Sequence, residues 1–257
     1  MHHPVDSGEL EAGIRAAVES LRGATTVAVL TGAGISAESG LATFRGAGGL
    51  WEGQRVEDVA TPFAFRRDPA LVWRFYHQRR AALRAARPNP GHYALARLER
   101  HFGAPRFTLI TQNVDGLHQV AGSERVLEIH GSLRRTRCTR CGQVREQGTE
   151  PLPELPHCPA CGGLLRPDVV WFHEPLPERV WAEAESATTR CSVFLVVGTS
   201  AVVYPAAGLI ETARLAGAVV IESNLVPSAA GHLVDIGLYG PAGQVLPRLV
   251  TEVWGPA

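Results

Sequence analysis

TVAVLTGAGISAESG, residues 26–40, sets a β-branched apolar run directly before a glycine turn and a segment of helical character. Gly32, Gly34 and Ala37 satisfy G-x-G-x-x-A where a strand hands over to a helix. Glycine permits the tight turn there and a close backbone approach to a pyrophosphate, whose charge a helix N-terminus favours. The bland alternative is a strand-to-helix turn with no ligand. Hydride-transferring dehydrogenases carry a ribose-binding acid about twenty residues further on, at the end of a second strand. Here the sequence up to residue 104 reads as helix and loop, so that chemistry is disfavoured.

Working outward, similar apolar runs recur as RFTLIT, RVLEIH, DVVWF, VFLVVG and AVVIES, several of them separated by helical patterns. Buried parallel strands have this look. The fold expected is α/β, a Rossmann-like doubly wound parallel sheet with a smaller lobe made of a helical module and a zinc ribbon. The sheet domain takes residues 1–48, 105–133 and 168–257; residues 49–104 form the helical insertion and 134–167 the cysteine-bearing one. Polar segments follow the strands: GAGIS after the first, then QNVD, His130, GTS, and Ser223 with Asn224. Ligands of open α/β sheets bind beyond the carboxyl ends of the strands, so these pieces should meet in one site.

Cys138, Cys141, Cys158 and Cys161 are spaced as two C-x2-C pairs, within the usual zinc window. Four thiolates close a tetrahedral shell and leave no position for water or substrate, so one structural Zn²⁺ is expected. His157, next to Cys158, is then surplus as a ligand. The competing use of a zinc ribbon is nucleic-acid contact, kept open by Arg134, Arg135, Arg137 and Arg140 and opposed by Glu146, Glu150 and Glu154.

Composition bounds the rest. The chain has 257 residues, 45% of them hydrophobic, with 25 basic against 25 acidic residues. No overall basic field favours nucleic acid. All the basic residues are arginine, so Schiff-base, general-base and phosphate-loop lysines are excluded. Cys191 remains as an ordinary buried thiol, and a disulfide framework is not expected. The first twenty residues read as an amphipathic helix with no signal-peptide apolar region, which points to the cytoplasm. No membrane contact is expected.

The motifs GAGISAESGLATFRG, TQNVDGLH, IHGS, the cysteine array, GTS and GPAGQVLP occur in an order that resembles the sirtuin family of NAD-dependent protein-lysine deacylases, nearly end to end. The resemblance implies NAD as cosubstrate, acyl-lysine proteins or peptides as substrates, and nicotinamide as a product that inhibits; a monomer is expected. Gly32, Ala33, Gly34, Ile35, Ser36, Glu38, Phe44, Arg45 and Trp51 would contact the cosubstrate, with Gln112, Asn113, Val114 and Asp115 on its nicotinamide side. Gly198, Thr199, Ser200, Asn224 and Ala242 would complete that site, the last two at the adenosine end. Taken alone, Gln112, Asn113 and Asp115 could be local turn formers. His130 is the expected catalytic base, with Asn113 beside it, because an imidazole titrating near neutrality can take a hydroxyl proton and return it. A hydrogen-bonded structural histidine is the alternative without the IHGS context.

Tyr76 and Arg79, three apart on a helix, can point a phenol and a guanidinium at one anion. Helix pattern alone favours a plain amphipathic helix. The resemblance places Tyr76, Arg79 and Ala60 where class III members of the family recognise succinyl, malonyl and glutaryl lysine. It also makes Val170, Trp171 and Phe172 acyl-lysine contacts; core packing is their other reading. His173, where many relatives carry glycine, and Val226, where an acid is common, are departures. The function implied is removal of succinyl, malonyl and also acetyl groups from protein lysines, giving nicotinamide and O-acyl-ADP-ribose. The alternatives are a plain deacetylase, an ADP-ribosyltransferase, or a non-catalytic zinc-ribbon nucleic-acid or NAD-sensing module.

Overall fold

The computed structural model describes residues 7–43, 50–51 and 54–256. In chain order the first elements are α1 (Ser7–Arg22), β1 (Val27–Thr31), a 3-10 turn Ala33–Ser39, β2 (Leu50–Trp51), β3 (Gln54–Arg55), α2 (Val56–Val59), α3 (Pro62–Arg67), α4 (Pro69–Ala85) and α5 (Pro90–Phe102). There follow β4 (Phe107–Thr111), α6 (Leu117–Val120), β5 (Val126–Glu128), β6 (Gly131–Cys138), β7 (Val144–Glu146) and β8 (Leu165–Val169). The last are α7 (Glu178–Arg190), β9 (Val193–Val197), α8 (Gly208–Leu215), β10 (Val219–Asn224), β11 (Ile236–Tyr239) and α9 (Ala242–Trp254).

The sheet runs β11-β10-β9-β1-β4-β5 with its pairings parallel. β1 is central, and Val27 faces Phe107 on one neighbour and Val193 on the other. Helices cover both faces, which is why β1 is a continuous apolar run and not an alternating one. Val27 and Val29 pack with Ile14, Leu21, Leu98 and Leu249 of α1, α5 and α9. Ala28 and Leu30 pack on the other face with Phe194, Val196, Ala184 and Ile210, under α7 and α8. Complete burial of each larger aliphatic side chain contributes roughly 1.5–3 kcal/mol. From β1 the chain moves to β4 and β5 on one side, then returns to β9 on the other. The carboxyl ends of β1 and β9 are therefore a topological switch point, where a crevice opens.

A third apolar cluster joins Val59, Phe65, Trp73, Tyr76 and Leu83 of α2 to α4 with Leu133, Cys138, Leu165 and Trp171. The last four lie on or beside an antiparallel sheet ordered β7-β6-β8. The Trp73 indole donates to the Leu165 carbonyl at 2.9 Å, and Arg80 donates to the carbonyls of Leu133 and Glu150. Helices and ribbon thus share one core.

Three expectations change. DVVWF, read as a parallel strand, begins inside β8, which pairs antiparallel with β6. The place in the parallel sheet goes to β11, a four-residue strand with a glycine that periodicity passes over. The helix Pro90–Phe102 lies in the stretch read as inserted, yet Ala94, Leu95, Leu98 and Phe102 fill the main core. Its spacing identifies an apolar stripe but not which layer receives it. Among the described residues, no helix is long and apolar enough to cross a membrane.

Candidate active site

A cleft of about 970 Å³ opens beyond the carboxyl ends of β1, β4, β9 and β10. That is at the upper end of the roughly 300–1,000 Å³ usual for small-molecule sites. Gly32, Ala33, Gly34, Ser36, Glu38, Gln112, Asn113, Val114, Asp115, His130, Gly198, Thr199, Ser200, Asn224 and Ala242 all line it. Ala60, Tyr76, Arg79, Val170, Trp171 and Phe172 line it as well. Ile35 does not line the cleft, because its side chain is fully buried in the core beneath the sheet. Phe44, Arg45 and the Trp51 side chain lie outside the described residues.

The floor is two loops in backbone contact. A Cβ on Gly34 would lie 2.7 Å from Gly198 Cα, and one on Gly32 would lie 2.8 Å from the Gly198 oxygen. Gly34 N donates to that oxygen at 2.7 Å. The glycines are thus already required by the loop after β9, a demand that comes in addition to the tight turn and the pyrophosphate approach expected from the sequence.

Side chains tie the remaining segments to this floor. Asn113 Nδ2 donates to the Gly32 carbonyl at 3.1 Å and to Ser36 Oγ at 3.3 Å. Ser36 Oγ donates to Asp115 Oδ2 at 2.8 Å, while Asp115 Oδ1 accepts from Leu117 N at 2.9 Å. Local turn formation therefore uses one oxygen of Asp115 and long-range assembly uses the other. Gln112 Nε2 donates to Thr199 Oγ1 at 3.0 Å, Asn224 Nδ2 to the Thr199 carbonyl at 2.8 Å, and Gly243 N to Glu38 at 2.7 Å. One group in the wall is left over: Ser223 Oγ is buried without a partner. An unsatisfied hydroxyl costs about 1–3 kcal/mol, which a polar ligand at the β10 end offsets by hydrogen bonding. The volume, the amide-and-hydroxyl lining and this orphan fit a bound dinucleotide.

His130 follows β5, and its Nδ1 lies 3.0 Å from the Gln112 carbonyl oxygen. An oxygen there can only accept, so Nδ1 carries the proton and Nε2 keeps its lone pair. Burial pushes the imidazole below its ordinary value; the bond to Gln112 opposes this more weakly. His130 is therefore neutral at pH 7 and competent as a base. Gly131 beside it has φ 79°, and a Cβ there would lie 2.2 Å from the Asp168 carbonyl oxygen, so only glycine lets β6 cross β8 here.

A buried cluster that sequence reading missed lies beneath the glycine turn. His118 Nε2 is 3.0 Å from Thr31 Oγ1, His92 Nε2 is 3.4 Å from Ser36 Oγ, and the two rings are 4.9 Å apart. Burial lowers His92 to about 4 and His118 to about 3. Both stay neutral and serve as scaffold. Asn89-Pro90-Gly91-His92, a capping box opening α5, is the local signal that marks one of them.

Tyr76 is 1% exposed and its hydroxyl accepts from the Trp171 indole at 2.9 Å. Backbone bonds fix the segment: Val170 N donates to the His130 carbonyl and Phe172 N to that of Ala60. Next comes a turn closed by Glu174 N to the Trp171 carbonyl, with His173 at φ 71°. A side chain is disfavoured in that conformation. His173→Gly should therefore stabilise the fold by about 1 kcal/mol, net of glycine's entropy cost. A melt should show the midpoint rise by about 2–4 °C.

The four cysteine sulfurs lie within 4.8 Å of one another, with Cys138–Cys161 at 3.5 Å and Cys141–Cys158 at 3.8 Å. Zinc–sulfur bonds of about 2.3 Å give tetrahedral edges of about 3.8 Å, so the four thiols are positioned to bind zinc. The nearby arginines are engaged within the protein. Arg134 bonds the Asp115 carbonyl, Arg135 pairs with Glu128 and Asp168, Arg137 with Asp168, and Arg140 bonds the Cys161 carbonyl.

Residues 32–205 match the model of the Sir2 family. The NAD-dependent protein deacylase 2 of Pyrobaculum aerophilum is 57% identical over 227 residues, covering 88% of this chain and 90% of that protein. A crystal structure of a Sir2 homologue in complex with NAD superposes with a TM-score of 0.86 at 42% identity, covering 98% of this chain and 96% of that one. A Sir2 homologue bound to a myristoylated histone peptide gives 0.76 at 39% identity, over 95% and 97%. More than half of the chain lies within the family match, and the protein belongs to the Sir2 family.

Proposed function

We propose that this chain is an NAD-dependent protein-lysine deacylase that favours acyl groups ending in a carboxylate, succinyl and malonyl, while still accepting acetyl. One observation carries the reading: a single cleft is lined by His130 together with Tyr76 and Arg79. The relatives named above act on acylated proteins or bind NAD or an acylated peptide, and the same use is inferred here. We further infer that α2 to α4 and the cysteine ribbon act as one lobe against the sheet domain, with acyl-lysine entering between them.

Bound NAD supplies an electrophilic ribose carbon with nicotinamide as leaving group. The residues of the chain do the rest. Gly32, Gly34, Ser36 and Thr199 hold the diphosphate side, and Asn113 with Asp115 orients the nicotinamide end. His130 Nε2 takes the proton of a ribose hydroxyl, and its Nδ1–H bond to Gln112 keeps that nitrogen aimed. Val170 and Trp171 pack along the lysine stem, keeping stray water from the activated carbon. Nicotinamide leaves from the ribose carbon, the acyl group passes to the ribose, and one water consumed afterwards frees the lysine amine, so the products are nicotinamide, lysine and O-acyl-ADP-ribose.

Arg79 is the specificity test. A guanidinium bonding a carboxylate contributes about 1.5–3 kcal/mol. Arg79→Met should therefore cut kcat/KM for succinyl-lysine peptide about 10- to 100-fold, and for acetyl-lysine peptide far less. Nicotinamide release against acetyl, malonyl and succinyl peptides reads this directly; an unchanged succinyl rate removes the anion clamp. Label from NAD recovered in small-molecule product separates deacylation from ADP-ribosyl transfer to protein. The internal pairing of the ribbon arginines argues against nucleic acid as the partner.

A further inference from the structure

We propose that Trp171 is a positioning residue for acyl selectivity: its indole N–H occupies the Tyr76 oxygen and commits the Tyr76 hydroxyl to donate toward the cleft, so the pocket takes acyl ends that can accept. The inference rests on the deacylase reading above and deepens it.

A phenol offers one proton and two lone pairs. The Trp171 indole, 2.9 Å away, can only donate, and the Arg79 guanidinium, whose carbon lies 5.6 Å from the centre of the phenol ring, can also only donate. Neither neighbour can receive the Tyr76 proton. Burial holds the phenol above the ordinary tyrosine range, so that proton is present at neutral pH. Tyr76 lines the cleft, where a carboxylate oxygen is the acceptor that completes the set. An acetyl methyl leaves the hydroxyl without an acceptor, which disfavours it against an acyl carboxylate.

The indole is itself held in place. Arg166 stacks on it, with the guanidinium carbon 3.4 Å from the ring centroid, and the Phe65 ring lies 5.2 Å away. Arg166 is clamped in turn by Glu174 through bonds of 2.6 and 2.8 Å, and Glu174 also accepts from Trp171 N at 2.9 Å. Glu174, Arg166 and Trp171 form a support whose last member meets the phenol. Trp171 is the member of this support whose indole reaches the Tyr76 hydroxyl.

The test is a double-mutant cycle read as the ratio of kcat/KM for succinyl-lysine over acetyl-lysine peptide. Trp171→Phe keeps a ring and removes the donor. It should lower the ratio about tenfold, mainly through the succinyl KM. In a Tyr76→Phe background the same change should lower the ratio no further. An equal fall in both backgrounds, or none in either, overturns the proposal, because a merely structural tryptophan adds its effect whatever stands at 76. Should Trp171→Phe fail to fold, the indole ¹⁵N–¹H resonance decides. Tyr76→Phe should shift it and speed its hydrogen exchange, and an unmoved resonance overturns the proposal. A wild-type enzyme without preference for succinyl over acetyl overturns both this inference and the function it rests on. A preference that survives without coupling between Trp171 and Tyr76 overturns this inference alone.

Discussion

His130→Phe should lower NAD-dependent deacylation by about 10²- to 10⁴-fold while leaving NAD binding near its wild-type affinity. The dinucleotide floor is built by the Gly32–Ser36 turn and the Gly198–Ser200 loop, neither of which depends on the imidazole. Isothermal titration of NAD alongside a deacylation assay separates the two quantities, and a variant with full turnover ends the assignment of the base. The wild-type pH profile follows the same geometry. The reactive form is the neutral ring, which is lost as pH falls through the folded-state value. Burial places that value below the ordinary 6.5, so the acid limb of kcat/KM should have its midpoint under 6.5. Gln112 contributes only a backbone carbonyl to the imidazole, so Gln112→Ala should leave that midpoint in place.

Zinc removal should abolish activity just as completely, although the cysteine sulfurs do not line the cleft. Structural zinc contributes roughly 10–16 kcal/mol in small zinc modules, comparable to the whole margin of a typical domain. Cys138 and Cys158 also belong to the apolar cluster that carries Trp73, Tyr76 and Trp171. β6 starts at Gly131, the residue after His130, and ends at Cys138, so one strand joins the base to the ribbon. Cys158→Ser, or chelation in mild denaturant, should release the ribbon, disorder the acyl wall and misplace His130. The two apolar layers on the parallel sheet contain no cysteine ligand and should persist. Metal content followed with near-UV dichroism and deacylation during chelation tests this. Full turnover in zinc-free protein would show the ribbon to be dispensable.

Much of this site was legible in the sequence because strand ends in an open α/β sheet are fixed by chain order. Once TVAVLT, RFTLIT and VFLVVG were parallel strands, GAGIS, QNVD and GTS had to face one crevice. The cysteine spacing was equally direct. What escaped depends on layers and on partners distant in sequence. The apolar stripe of α5 looks the same whether it docks on the sheet or on the ribbon lobe. β11 is too short and too glycine-broken for an alternation signal. Ile35 sits inside a motif whose neighbours line the cleft, and turn geometry alone sends its side chain to the core. His92 and His118 carry no joint signal in the sequence, because the hydroxyls that receive them come from β1 and the glycine turn.

The contact between the Gly32–Gly34 turn and Gly198 restricts how such a protein can vary. A Cβ at Gly34 meets Gly198 Cα, and one at Gly198, where φ is 58°, falls 2.3 Å from Ile35 N. Each obstacle is main chain, so trimming a neighbouring side chain makes no room and no second-site suppressor of that kind exists. These codons are frozen as a set, and inherited or engineered diversity in the cosubstrate floor has to enter through the positions between them or through a wholesale loop exchange.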